Sequence, residues 1–176
     1  MKVRATVRAF FLFLITLAAT AFIFLPFAEV TTESILGPSV ETIPFYQILN
    51  FEPKIYTILN KETNDLLNLL KDISSGLTIA VLAIAGVSFF MQLARIVVCK
   101  NKLLGAFVGF VDFLLMAACI ALGVVTIVHI FTWKSLYDQI EIASEAMTFA
   151  SLGGWLYLGL GLFTPIVIVL TNFIKK

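Results

Sequence analysis

Asp112 is the one carboxylate set inside a long apolar run of this chain. An ionised carboxylate in hydrocarbon costs several kcal/mol unless protein or water faces it, so an acid placed there does one of two kinds of work. It holds a proton or small cation at mid-membrane, or it fixes the register of two packed helices through hydrogen bonds. Its neighbours narrow the choice of face. Gly105, Gly109, Asp112, Met116, Cys119, Gly123 and Thr126 recur at alternating spacings of four and three, one stripe of a helix that opens with a GxxxG. Ala85, Ser88, Gln92, Arg95 and Cys99 repeat the alternation in the preceding apolar run, and the Lys100-Asn101-Lys102 turn between the runs is short enough to make them antiparallel neighbours. In such a hairpin Arg95 and Gln92 both come within reach of Asp112. The predicted intramembrane polar site is therefore Asp112 with Arg95 or Gln92, Arg95 having the alternative of extending to the membrane interface.

Other chemistry is poorly provided for. The single histidine, His129, and two separated cysteines, Cys99 and Cys119, cannot assemble a common zinc, haem or iron–sulfur site. His129 falls near a membrane boundary, where a solvated imidazole is expected. Cys99 beside Lys100 could accept a palmitoyl chain, although a small buried apolar role suits both cysteines. No nucleophile elbow, P-loop or dinucleotide fingerprint is present, and no basic stripe suits nucleic acid. The expectation is a protein with no catalytic set, no metal and no cofactor.

The elements that carry Asp112 follow from hydropathy. The chain has 176 residues, of which 60% are hydrophobic and 13% charged, and its mean hydropathy is +1.03. Four apolar runs, approximately 9–27, 77–98, 103–129 and 149–174, meet the roughly 20 residues that cross a hydrocarbon core. Their continuity excludes the alternating pattern of a barrel. The first run resembles a signal peptide at Ala19-Thr20-Ala21, but its apolar stretch continues to Leu25, which favours an uncleaved anchor.

Charge then orients the chain. Every acid except Asp112 lies in residues 28–76 or 132–149, while Lys2, Arg4, Arg8, Arg95, Lys100, Lys102, Lys175 and Lys176 occupy the other connections. The positive-inside rule puts both termini in the cytoplasm of a plasma or bacterial inner membrane and both acidic loops outside. The expected fold is all-α: a four-helix transmembrane bundle under a small outer cap made of a larger first loop and a short helical second loop.

Within the first loop, residues 45–51 and 55–59 suit a hairpin or a surface position, and Asn60 caps a surface helix bearing Leu66, Leu67, Leu69, Leu70 and Ile73. In the second, Ser135 and Asp138 fit a capping box, with Leu136, Ile140, Ala143 and Met147 at helical spacing. Trp133 and Trp155 mark the outer boundary. Gly153, Gly154, Gly159 and Gly161 prepare the last helix for close packing, and Pro165 frees the Gly161 carbonyl.

The order of parts resembles the claudin-type four-span proteins in topology, whereas their first-loop W-G-L-W motif and cysteine pair are missing here, so the resemblance implies no functional residue. Small-residue faces and an outer cap without a catalytic set point to an accessory or structural subunit. Its partners are the bilayer and other membrane subunits or a second copy, and it does not bind nucleic acid. A transporter or channel component using Asp112 is the competing expectation.

Overall fold

The computed structural model describes residues 2–34, 37–44, 61–98, 101–140, 145–148 and 152–173. Four α-helices hold most of them: α1 (Lys2–Ala21), α2 (Lys61–Val97), α3 (Lys102–Ile140) and α4 (Leu152–Asn172). Three strands, β1 (Pro26–Ser34), β2 (Gly37–Pro44) and β3 (Glu145–Thr148), form one antiparallel sheet in the order β2-β1-β3. Around the helices, α1 packs on α2 and α4, and α3 packs on the same two.

Three helical segments, Asp65–Val97, Lys102–Thr132 and Gly153–Asn172, are long and apolar enough to cross a membrane, whereas the apolar part of α1, Thr6–Ala21, is shorter. The expected first span to residue 27 therefore stops early, and the reason is local. A residue before proline is pushed out of the α region; Leu25, which precedes Pro26, is extended at φ −75°, ψ 149°. A single 3-10 turn, Phe22–Phe24, connects α1 to the sheet.

The second span begins further upstream than the sequence suggests. The predicted surface helix after Asn60 and the apolar run from residue 77 are one helix of 37 residues, about 55 Å long at 1.5 Å per residue. Ser74-Ser75-Gly76 does not interrupt it: Ser74 is buried, and Thr78 Oγ1 donates to the Ser74 carbonyl within the same helix (2.7 Å). At the other end Asn101 supplies the cap that starts α3: its Oδ1 accepts from the backbone N–H of Leu103 (3.0 Å) and Leu104 (3.3 Å). The short turn makes α2 and α3 neighbours, as their stripes require.

The four helices agree with the helical expectation, whereas the described cap residues include the strands β1–β3. Residues 135–140 are helical only as the last turns of α3, while Met147, expected on the same helix, lies in β3 opposite Val30. Strand pairing overrode helical periodicity there: Val30, Thr31 and Thr32 of β1 offer a β-branched edge, and four residues of β3 pair with it. The other edge of β1 pairs with β2 from Ser34↔Gly37 down to Pro26↔Pro44, with a shift between Pro26 and Ala28. Gly37, at φ 113°, takes a backbone conformation that a side chain would disfavour. The hairpin expected over 45–59, and Ala143 and Cys99, lie outside the described residues.

Tyr157 ties α4 to the end of α1. It is fully buried, its hydroxyl donates to the Ala19 carbonyl (2.9 Å), and its ring meets Phe22 edge-on at 6.2 Å. The Ala19 acceptor sits in the last helical turn, where carbonyls lack the usual partner four residues on. Tyr157→Phe should therefore lower stability by about 1 kcal/mol, read as a lower midpoint of thermal unfolding in detergent; an unchanged midpoint would mean the bond contributes nothing.

Candidate intramembrane polar site

The site is built where the α2 and α3 stripes meet. Ser88 and Gln92 stand one turn apart on α2, both with no exposed surface, and Asp112 of α3 is buried against them. Ser88 Oγ donates to Asp112 Oδ1 at 2.8 Å. Gln92 Nε2 donates to Oδ1 at 3.0 Å and to Oδ2 at 2.8 Å. Both carboxylate oxygens are thus satisfied by neutral donors, and the apolar residues within a turn of them, Ala85 on α2 and Val108, Val111 and Leu115 on α3, are buried.

The structure joins Asp112 to Gln92 and gives Arg95 a different position. Arg95 is half-buried and makes no hydrogen bond to Asp112, so it acts on the carboxylate only through its field, as does Arg8. Two participants were not singled out by sequence reasoning. Ser88 was visible on the α2 stripe, and its spacing of four from Gln92, facing a mid-span acid, was the available signal. Arg8 looked like an orienting charge alone. In the fold its Nε donates to Thr171 Oγ1 (2.8 Å) and its Nη2 to Asn172 Oδ1 (2.6 Å) and the Ile168 carbonyl (3.2 Å), which fastens α1 to the C-terminal turn of α4.

The glycines divide into two groups. A Cβ on Gly123 would stand 2.7 Å from Leu158 Cγ and 2.9 Å from the Gly154 carbonyl oxygen. One on Gly154 would stand 2.9 Å from Ile127 Cγ1, and one on Gly161 2.5 Å from Ile120 Cγ1 and 3.1 Å from the Met116 carbonyl oxygen. These three form the close seam between α3 and α4, and Gly153 is buried beside it. Gly105 and Gly109, by contrast, have nothing within 4 Å of an added Cβ, and Gly109 is exposed. The predicted stripe is thus split: Asp112 turns to α2, the Met116–Gly123 stretch turns to α4, and the opening GxxxG packs on neither.

His129 also differs from expectation. It is buried, with the charge of Lys71 near it, and not solvated. The cause is the upstream extension of α2, which covers a part of α3 that a shorter helix would have left bare. Among the described residues no group of three or more His, Cys, Asp or Glu side chains could hold a metal ion. Three other buried hydroxyls donate to carbonyls of their own helices: Thr16 to Phe13, Thr126 to Leu122 and Thr164 to Leu160.

Long apolar helices with one internally satisfied carboxylate define a helical membrane protein. No family model, curated protein or solved structure matches the chain.

Proposed function

We propose that the chain is a non-catalytic accessory or structural subunit of a larger membrane assembly. In this reading it is a four-helix bundle, α1 completing the set of spans, with both termini cytoplasmic and the β-sheet cap outside a plasma or bacterial inner membrane. The observation that carries the reading is the contrast between the two glycine groups. Gly123, Gly154 and Gly161 are used within the chain, whereas the Gly105-x-x-x-Gly109 face is left outward with room around it. Small residues of this kind let a second helix approach closely in lipid. The matching experiment is purification from native membranes. A stoichiometric partner or second copy should accompany the wild type and be lost from a Gly105→Ile, Gly109→Ile variant whose own thermal midpoint is retained. Consistent recovery of the wild type as a lone monomer would refute the proposal.

A second reading is favoured by one specific observation. Gln92 Oε1 is buried beside the carboxylate without a hydrogen-bond partner, and an unmatched acceptor in that position suits a proton or cation site in a transporter or channel component. Flux in reconstituted vesicles that disappears in Asp112→Asn would favour this reading over the structural one.

A further inference from the structure

We infer that the α2–α3 turn end of the helices binds the headgroup of an anionic phospholipid, with Arg4, Arg8 and Arg95 supplying the positive charge. The inference rests on the chain being a membrane protein and is independent of whether it serves as a subunit. Three observations converge on it.

The first is register. The rings of Phe13 on α1 and Phe89 on α2 meet at a tilt of 33° with centroids 4.9 Å apart, which gives a point of register between the two helices. From that contact Arg8 is about 7.5 Å along α1 and Arg95 about 9 Å along α2, both toward the turn end, at 1.5 Å per residue. The two guanidinium groups therefore come to similar depth from antiparallel helices, and Arg4 lies one turn beyond Arg8.

The second is electrostatic. Arg95 and Arg4 both repel Arg8, and among the described acids Asp112 is the one whose charge attracts it. That carboxylate is already held by Ser88 and Gln92. The other described acids, among them Glu29, Glu33, Asp65, Asp72 and Asp138, belong to the strands or to the opposite ends of α2 and α3. Like charges gathered without matching acids raise the energy of the fold by themselves and lower it when a polyanionic group arrives.

The third is geometric. The three bonds that Arg8 makes to α4 use Nε and Nη2, which leaves the Nη1 protons uncommitted by them. Arginine presents a planar fork that matches phosphate oxygens in pairs. The same helices carry exposed apolar side chains toward mid-membrane, Phe10 and Leu14 on α1 and Phe90 and Leu93 on α2, against which acyl chains can lie. A phosphodiester at the arginines with tails along these residues satisfies both halves of one molecule, which free phosphate does not.

The test uses the full chain purified in detergent and then exposed to equal amounts of phosphatidylglycerol and phosphatidylcholine, with bound lipid counted by native mass spectrometry. The wild type should retain phosphatidylglycerol in preference. Arg4→Gln combined with Arg95→Gln should lower that preference about fivefold for each arginine removed, the fold-change equivalent of roughly 1 kcal/mol per basic residue near a membrane surface. Arg4→Lys combined with Arg95→Lys keeps the charge and should keep the preference, and if the double glutamine variant fails to fold, the single Arg4→Gln variant decides the matter by losing about fivefold. Equal retention of the two lipids by the wild type, an unchanged preference in a folded glutamine variant, or loss of preference in a folded lysine variant would overturn the proposal. So would inorganic phosphate raising the thermal midpoint as much as phosphatidylglycerol does.

Discussion

Gln92→Met should destabilise the protein by about 3 kcal/mol, more than its modest change in volume would suggest. Methionine keeps the unbranched length of glutamine but has no donor, so Asp112 loses bonds to both Oδ1 and Oδ2 and retains only Ser88. A buried hydrogen bond contributes about 0.5–1.5 kcal/mol, and leaving a buried acceptor without its donor costs about 1–3 kcal/mol more. Losing the unpartnered Gln92 Oε1 offsets a little of this. Removing both partners should be milder than removing one: Gln92→Met combined with Asp112→Leu leaves an apolar contact between α2 and α3, and the double-mutant cycle should show strong coupling. Unfolding in detergent measures all three variants. A Gln92→Met midpoint equal to that of the wild type would mean that the carboxylate is not held in the way its geometry indicates.

Gly123→Ala should cost up to about 3 kcal/mol, at the upper end of the range for overpacking, while Gly109→Ala on the same helix should stabilise by about 0.5–1 kcal/mol. The opposite signs follow from what a single methyl group meets. At Gly123 the obstacles include backbone, the Gly154 carbonyl oxygen at 2.9 Å and the Leu158 nitrogen at 3.0 Å, which cannot yield unless α4 moves as a whole. At Gly109 an added Cβ meets no atom beyond its own helix backbone and chain neighbours within 4 Å, and the alanine simply restricts the unfolded chain. The pair is best compared by thermal unfolding of monodisperse protein, since association through the outward face would add its own contribution to the Gly109 result. Equal shifts in the two variants would contradict the α3–α4 seam.

The helices were legible because lipid imposes a simple demand on sequence. A run such as 103–129 must be apolar throughout, and its one exception must face protein; that logic led to Asp112 and to Gln92 across the hairpin. It could not choose between Gln92 and Arg95, since both fit the spacing and the choice depends on how far an arginine stem extends toward water. The split of the α3 stripe was equally hidden. An alternation of four and three locates a face, yet a helix of 39 residues has two neighbours, and nothing in Gly105 or Gly109 differs in type from Gly123. The cap was misread for a further reason. Leu136, Ile140 and Met147 have helical spacing, but Met147 pairs with Val30 from the other end of the chain, and such a partner leaves no local trace. Likewise the continuity of α2 through Gly76 goes with the burial of Ser74 and Thr78, which composition does not report.

The strand order β2-β1-β3 sets a sequence of events during synthesis. β1 and β2 are made early and can pair at once as a hairpin, but the opposite edge of β1 stays open until Glu145–Thr148 has been made, after the whole of α3. An open edge is a template for any extended chain nearby. Until β3 has been made, one edge of β1 in the nascent cap therefore lacks its native partner. Completion of the sheet marks the moment when the first and last thirds of the chain have met on the same side of the helices.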